Sequence, residues 1–150
     1  MWDKRSVMID LLGEYSHKFD AKGRLTLPTQ FRKYLPTDLV VTLDPTGRCL
    51  YVFEPGDFND WVASFFEHAD GSGIDPKSTV ETDLRRELKA RANAVSIDGA
   101  GRINVPLNQR EAAGIEKDVV LIGNTGYFEI WDAKRREAQR KNVDLTTLMH

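Results

Sequence analysis

Asp20-Ala21-Lys22-Gly23-Arg24-Leu25-Thr26-Leu27-Pro28 returns later in the chain as Asp98-Gly99-Ala100-Gly101-Arg102-Ile103-Asn104-Val105-Pro106. Asp, Gly, Arg, two alternating aliphatic residues and Pro recur at identical spacing, and self-similarity is read first because it sets the architecture of everything around it. The likeness continues downstream. Asp38-Leu39-Val40-Val41 answers Asp118-Val119-Val120-Leu121, and Leu50-Tyr51-Val52-Phe53 answers Tyr127-Phe128-Glu129-Ile130. About 40 residues are duplicated, each copy forming one supersecondary unit.

Within the first copy Tyr15, His17 and Phe19 alternate on one face of a strand, Gly23 supplies the turn, and Leu25 and Leu27 alternate on the return strand. This predicts a hairpin. Pro28 ends the strand, and Thr29 to Tyr34 has room for a helical turn or two before Pro36. Two further strands follow, Leu39 to Leu43 and Cys49 to Phe53, joined by the turn-forming Asp44-Pro45-Thr46-Gly47. The second copy repeats the order with strands Ala94 to Ile97 and Ile103 to Val105, a short helical piece to Gly114, and strands Val119 to Ile122 and Tyr127 to Trp131 around Gly123-Asn124-Thr125-Gly126. The unit is ββαββ, so the expected class is α+β, mainly β.

Between the copies the period changes to that of a helix. Phe58, Trp61, Val62, Phe65 and Phe66 form a broad apolar stripe behind Pro55 and Asp57. Asp70-Gly71-Ser72-Gly73 is a flexible break, and Ser78-Thr79-Val80-Glu81 has the form of a capping box for a second helix with Val80, Leu84, Leu88 and Ala92 inward. A helical hairpin linking the copies is expected. The polar stretch after Asp132, with Lys134, Arg135, Arg136, Arg140 and Lys141, predicts a weakly anchored helix with a frayed end. The organisation is therefore a first repeat over 13–57, a helical spacer over 58–92, a second repeat over 93–137 and a polar tail over 138–150.

The chain has 150 residues, room for one domain or two very small ones. Its 21 Lys plus Arg against 23 Asp plus Glu give a net charge of −2, and that total supplies no electrostatic reason for a polyanionic partner. Position reverses the inference. Residues 14–34 carry five basic and two acidic side chains, residues 85–110 six and two, and residues 35–84 two and ten. Ten of the 23 acidic side chains thus fall in the 50 residues of 35–84, while both duplicated turns lie in positive stretches. No apolar run approaches the ~20 residues of a membrane span, and Val7 to Leu12 is short and broken by Asp10. Nor does that stretch have the length or cleavage site of a secretory signal. The lone Cys49 fits a reducing compartment, and the chain reads as cytosolic.

Asp-x-x-x-Arg across a glycine turn admits two compatible readings. In the structural one, Asp20 accepts turn amides and Arg24 folds back on the carboxylate to fix the turn. In the functional one, Arg24 and Arg102, oriented by Asp20 and Asp98, present guanidinium forks to phosphates or guanine edges. Enzyme chemistry finds no support in the sequence. His17, His68 and His150 lack metal-ligand spacing, Cys49 has no accompanying base, and no phosphate-cradling glycine loop or nucleophile elbow is present. No cofactor, metal or small-molecule substrate is expected. His17 is either structural or an extra phosphate contact.

At these residues the chain resembles the MraZ family of bacterial regulators, associated with the division and cell wall gene cluster, which are duplicated members of the SpoVT/AbrB superfamily. Gly13-Glu14-Tyr15-Ser16-His17-Lys18-Phe19 leading into Asp20 to Pro28 matches the family's opening; Arg91-Ala92-Asn93-Ala94 with Asp98 to Arg102 matches its second repeat, and Phe128-Glu129-Ile130-Trp131-Asp132 its closing strand. The likeness spans roughly residues 13–134. It implies two swapped-hairpin AbrB-like repeats forming a pseudo-dimeric β-barrel, and a ring-shaped homo-oligomer that binds repeated sites in double-stranded promoter DNA and usually represses transcription. On that resemblance Arg24 and Arg102, helped by Lys22 and Lys18, are the DNA contacts, and Asp20, Asp98, Gly23 and Gly101 orient them. The protein is then cytoplasmic and nucleoid-associated. Where the first copy has Lys22 the second has Ala100, so the first is expected to bind more strongly. Residues 1–12 exceed the family's usual start, which makes Met8 a candidate initiator. The rival reading is a ring-forming interaction module whose arginines only fasten its turns and do not touch DNA.

Overall fold

The computed structural model describes residues 8–67, 75 and 77–149. Each copy has the expected order. The first runs β1 (Glu14–Lys18), β2 (Arg24–Thr26), α1 (Thr29–Arg32), β3 (Asp38–Leu43) and β4 (Leu50–Phe53). Helices α2 (Pro55–Ser64) and α3 (Thr79–Ala90) follow; then come β5 (Asn93–Ser96), β6 (Arg102–Asn104), α4 (Leu107–Ala112), β7 (Asp118–Gly123) and β8 (Tyr127–Asp132). Helix α5 (Ala133–Arg140) and a 3-10 turn (Leu145–Met149) close the described chain. The fold is α+β, mainly β.

The pairing corrects the expected local hairpin. β1 does not pair with β2. It pairs antiparallel with β7 of the other repeat, from Glu14 opposite Ile122 to Lys18 opposite Asp118, and β5 pairs in the same way with β3. The short β2 and β6 pair with each other. The Gly23 turn forms, but it carries the chain from one sheet into another. The reason lies in Phe19, which is 2% exposed and whose amide donates to Lys117 O at 3.0 Å, so the chain is drawn into the second repeat before the turn begins.

The strands make a six-stranded antiparallel sheet of order β1-β7-β8-β4-β3-β5 and a two-stranded β2-β6 ribbon. β1 and β5 stand at the two edges of the large sheet and do not pair with each other, so the expected closed barrel is not formed by its hydrogen bonds. The three-residue β2 and β6 spend their ladder on each other, so among the described residues no strand bridges the two edges.

One core lies between these layers and draws on both copies. Leu25 and Ile103 face each other across the ribbon, both fully buried, and Phe31 of the first copy meets Phe128 of the second with ring centroids 5.3 Å apart. Neither repeat encloses an apolar interior alone, so the two fold as one unit. Leu11 also joins this core, at 2% exposure, and its amide donates to Asn124 O at 3.1 Å.

The spacer behaves only partly as its pattern predicts. Phe58, Val62 and Phe66 bury against Phe53, but α2 stops at Ser64 and leaves Phe65 52% exposed. Of the inward set on α3, Leu88 and Ala92 pack on this cluster, whereas Val80 and Leu84 are 69% and 55% exposed. Half of the capping box forms, with Ser78 Oγ accepting from Glu81 N at 3.2 Å, while the Glu81 carboxylate accepts from Asp75 N. The expected flexible break at 70–73 lies outside the described residues.

α5 is better anchored than its polarity suggests. Arg135 donates to Ala113 O at 2.9 Å and Gly47 O at 3.1 Å, Arg136 pairs with Glu14 at 2.7 Å, and Arg140 pairs with the other oxygen of the same carboxylate. Charged side chains fasten this helix where apolar ones are absent. Among the described residues no helix is long and apolar enough to cross a membrane.

Candidate nucleic-acid interface

The two turns have nearly identical geometry. Asp20 accepts from the amides of Lys22 and Arg24, both at 2.9 Å, and from Arg24 Nε at 2.7 Å. Asp98 accepts from the amides of Ala100 and Arg102 and from Arg102 Nε, all at 2.9 Å. Backbone bonds close each loop, Asp20 N to Arg24 O at 2.9 Å and Asp98 N to Arg102 O at 2.8 Å. Gly23 and Gly101 both sit at φ +79°, a region that side chains disfavour. One carboxylate thus satisfies two orphan amides and orients one arginine.

Each arginine spends only its Nε on the aspartate. Its two terminal amino groups have no partner among the described residues, and the side chains of Arg24 and Arg102 keep 31% and 32% of their surface open. Exposed pairs of this kind contribute little stability. Their effect is to preorganise a guanidinium fork. The Arg24 amide, followed by its guanidinium and the Lys22 amide, holds the Asp20 carboxyl below the usual carboxylate range. The Arg102 amide leads the same effect on Asp98, so both pairs are fully charged at neutral pH.

The antiparallel ribbon sets the turns at its two ends, with their arginines diagonal to one another. Arg24 lies opposite Asn104 and Thr26 opposite Arg102, so both arginines stand on the outer face while Leu25 and Ile103 face inward. Leu27 N donates to Gly101 O at 2.9 Å and Val105 N to Gly23 O at 3.0 Å, which ties each turn to the strand of the other repeat. Diagonal neighbours in such a pair are roughly 7–8 Å apart, close enough for two forks to address adjacent groups on one ligand.

The remaining sequence-derived candidates divide. Lys22 is exposed on its turn beside Arg24, and Ala100 holds the equivalent place. Lys18 is exposed but ends β1 in the large sheet, opposite Asp118, and takes no part in the ribbon. Burial lowers the His17 pKa, so this half-buried imidazole is neutral at physiological pH and supplies no charge for a phosphate. Cys49 is buried, bonded to Asp44, and its thiol is pushed up by desolvation, which makes it unreactive. Among the described residues no group of three potential metal ligands exists.

Two residues escaped the sequence reading. Arg32 lies against Gly101 and Arg110 against Gly23, so four arginines surround the paired turns. The signal was present, since each follows its motif arginine by eight positions in the same register of the duplication.

The family model of the MraZ protein matches residues 11–74 and 88–147. A transcriptional regulator MraZ of Treponema denticola is 32% identical over 134 residues, covering 89% of this chain and 90% of that protein. The proteins of the same name from Lachnoclostridium phytofermentans and Corynebacterium jeikeium are 35% and 37% identical, covering 85% and 81% of this chain and 84% and 80% of their own lengths. With both repeats matched, each containing its aspartate-glycine-arginine turn, this chain belongs to the MraZ family.

Proposed function

We propose that this protein is a transcriptional regulator that binds double-stranded promoter DNA sequence-specifically through Arg24 and Arg102. The observation that carries this reading is the pairing of two aspartate-oriented arginines on one face of the β2-β6 ribbon, each with unused terminal amino groups. A preorganised fork matches the O6 and N7 acceptors of guanine or two phosphate oxygens, and it gives up little side-chain entropy on binding. Lys22 adds a phosphate contact that Ala100 cannot, so the first turn binds more strongly. Lys18 is a peripheral contact. Repression at repeats upstream of the division and cell wall genes, in the cytoplasm and at the nucleoid, is the activity this reading assigns.

Self-assembly belongs to the same proposal. Phe65, Val80 and Leu84 leave an exposed apolar face on the spacer, and a groove of about 390 Å³ lies between Phe65, Phe66, Leu84 and Leu88. Head-to-tail contact, in which a different surface of a second copy covers this face, would build a ring whose several weakly binding turns engage neighbouring sites together.

Selection of bound genomic fragments, followed by footprinting, supplies the operator. On that duplex Arg24→Ala and Arg102→Ala each weaken binding by about five- to 150-fold, as expected for loss of a bidentate base contact worth about 1–3 kcal/mol. Melting temperature and assembly size stay near those of the parent. Unchanged binding in both variants, with no dependence of affinity on salt, would leave the interaction module without a DNA role as the surviving reading.

A further inference from the structure

The space beside each turn glycine is occupied by an arginine of the other repeat. Arg32 ends α1, its Nη2 donates to Thr29 Oγ1 at 3.2 Å, and a Cβ built on Gly101 would stand 2.0 Å from its Nη1 and 2.9 Å from its Cδ. Arg110 lies in α4, where its Nε donates to Val105 O at 3.1 Å and its guanidinium carbon lies 5.4 Å from the centroid of the Phe19 ring. A Cβ on Gly23 would come within 2.7 Å of Arg110 Nη2. First-repeat arginine thus backs second-repeat turn, and the reverse.

This contact bears on what the turns can do. Glycine moves between positive and negative φ at little cost, so a turn on three-residue strands keeps some freedom beyond what its aspartate bonds remove, unless something fills the volume it would swing through. The two guanidinium groups fill that volume. Arg32 Nε is buried without an acceptor, so its position is set by packing against the turn as much as by hydrogen bonds of its own.

We propose that Arg32 and Arg110 are positioning residues for DNA recognition that act across the duplication: Arg32 holds the turn that aims Arg102, and Arg110 holds the turn that aims Arg24. This rests on the reading of Arg24 and Arg102 as DNA contacts. It makes the ribbon a single recognition unit in which neither turn is competent without the helix of the other repeat.

Double-mutant cycles on the full chain, read by fluorescence anisotropy with the selected genomic duplex, test it. Arg32→Ala should weaken binding roughly tenfold, within the range seen for contacting residues, and should retain that penalty in an Arg24→Ala background but lose most of it in an Arg102→Ala background. Arg110→Ala should show the opposite pattern. Coupling within a repeat, or additivity in both backgrounds, overturns the proposal. So does a fall of about 0.9 in the slope of log affinity against log salt for Arg32→Ala, which would make Arg32 a phosphate contact in its own right. Arg32→Met, which keeps the aliphatic stem, takes over if the alanine variant fails to fold. Amide hydrogen exchange of the free protein is independent of DNA: Arg32→Met should speed exchange at residues 98–102 and leave 20–24 unchanged. If Arg24→Ala and Arg102→Ala bind like the parent, the DNA reading fails. The cross-repeat support then stands or falls on exchange alone.

Discussion

The first and second turns share their hydrogen bonds but not their surroundings. The Asp–Arg pairs measure 2.7 and 2.9 Å, and both glycines sit at φ +79°. Outside the loop the symmetry ends. Lys22 has Ala100 as its counterpart, and Phe19, against whose ring Arg110 lies, has Ile97. Arg110 is held by a carbonyl and an aromatic face, whereas Arg32 has one hydroxyl and an unpaired Nε. A turn set by three residues within five positions survives duplication intact, because its bonds are all local. Contacts supplied from another repeat are free to diverge, and they have done so.

The strongest way to break the comparison is to attack what the two copies hold in common. Leu25→Ala and Ile103→Ala remove facing, fully buried side chains, and each should cost about 2–5 kcal/mol in chemical denaturation with a single shared transition. Two transitions, or a large loss for one variant and almost none for the other, would show that the repeats possess separate cores. An intermediate effect concerns the lysine difference. Lys22→Ala should reduce the salt slope of DNA binding by about 0.9, and Ala100→Lys should raise it by a similar amount, which would bring the second turn level with the first. Equal slopes in parent and variants would remove the asymmetry from the account.

The smallest expected effect is of pH. Because the folded-state pKa values of Asp20 and Asp98 lie below their ordinary range, the carboxylate bonds persist above it and are lost only as pH falls through the depressed folded values. The amide resonances of Arg24 and Arg102 should therefore stay constant from neutral pH down to the usual carboxylate range, then shift together below it. A shift at milder acidity in one turn alone would mean that the two carboxylates are held differently.

Much of this was legible in the residues. The ββαββ order, the turn at Asp44, where the carboxylate accepts from Thr46 Oγ1 at 2.6 Å, and the Asp-to-Arg bonds all follow from short-range patterns. The errors share a cause. Adjacency in the chain predicts that β1 pairs with β2, and a shared apolar stripe predicts that α3 is buried, yet β1 pairs with β7 and Val80 and Leu84 are exposed. In both cases local pattern states that a face seeks a partner without stating which one. Arg32 and Arg110 share the limit: their matching places in the duplication mark them as a pair, but nothing local says which glycine each touches.

The sequence by itself determined the duplicated unit, the geometry of each turn and the concentration of positive charge around both. These depend on residues a few positions apart, where bond lengths and hydrogen bonds leave few alternatives. Only the tertiary structure decided that β1 crosses to β7 and β5 to β3, that the ribbon sets Arg24 diagonally across from Arg102, and that each turn is backed by the other repeat's helix. Those pairings are settled by burial of a shared core that no single copy can enclose, and that is a property of the folded chain as a whole.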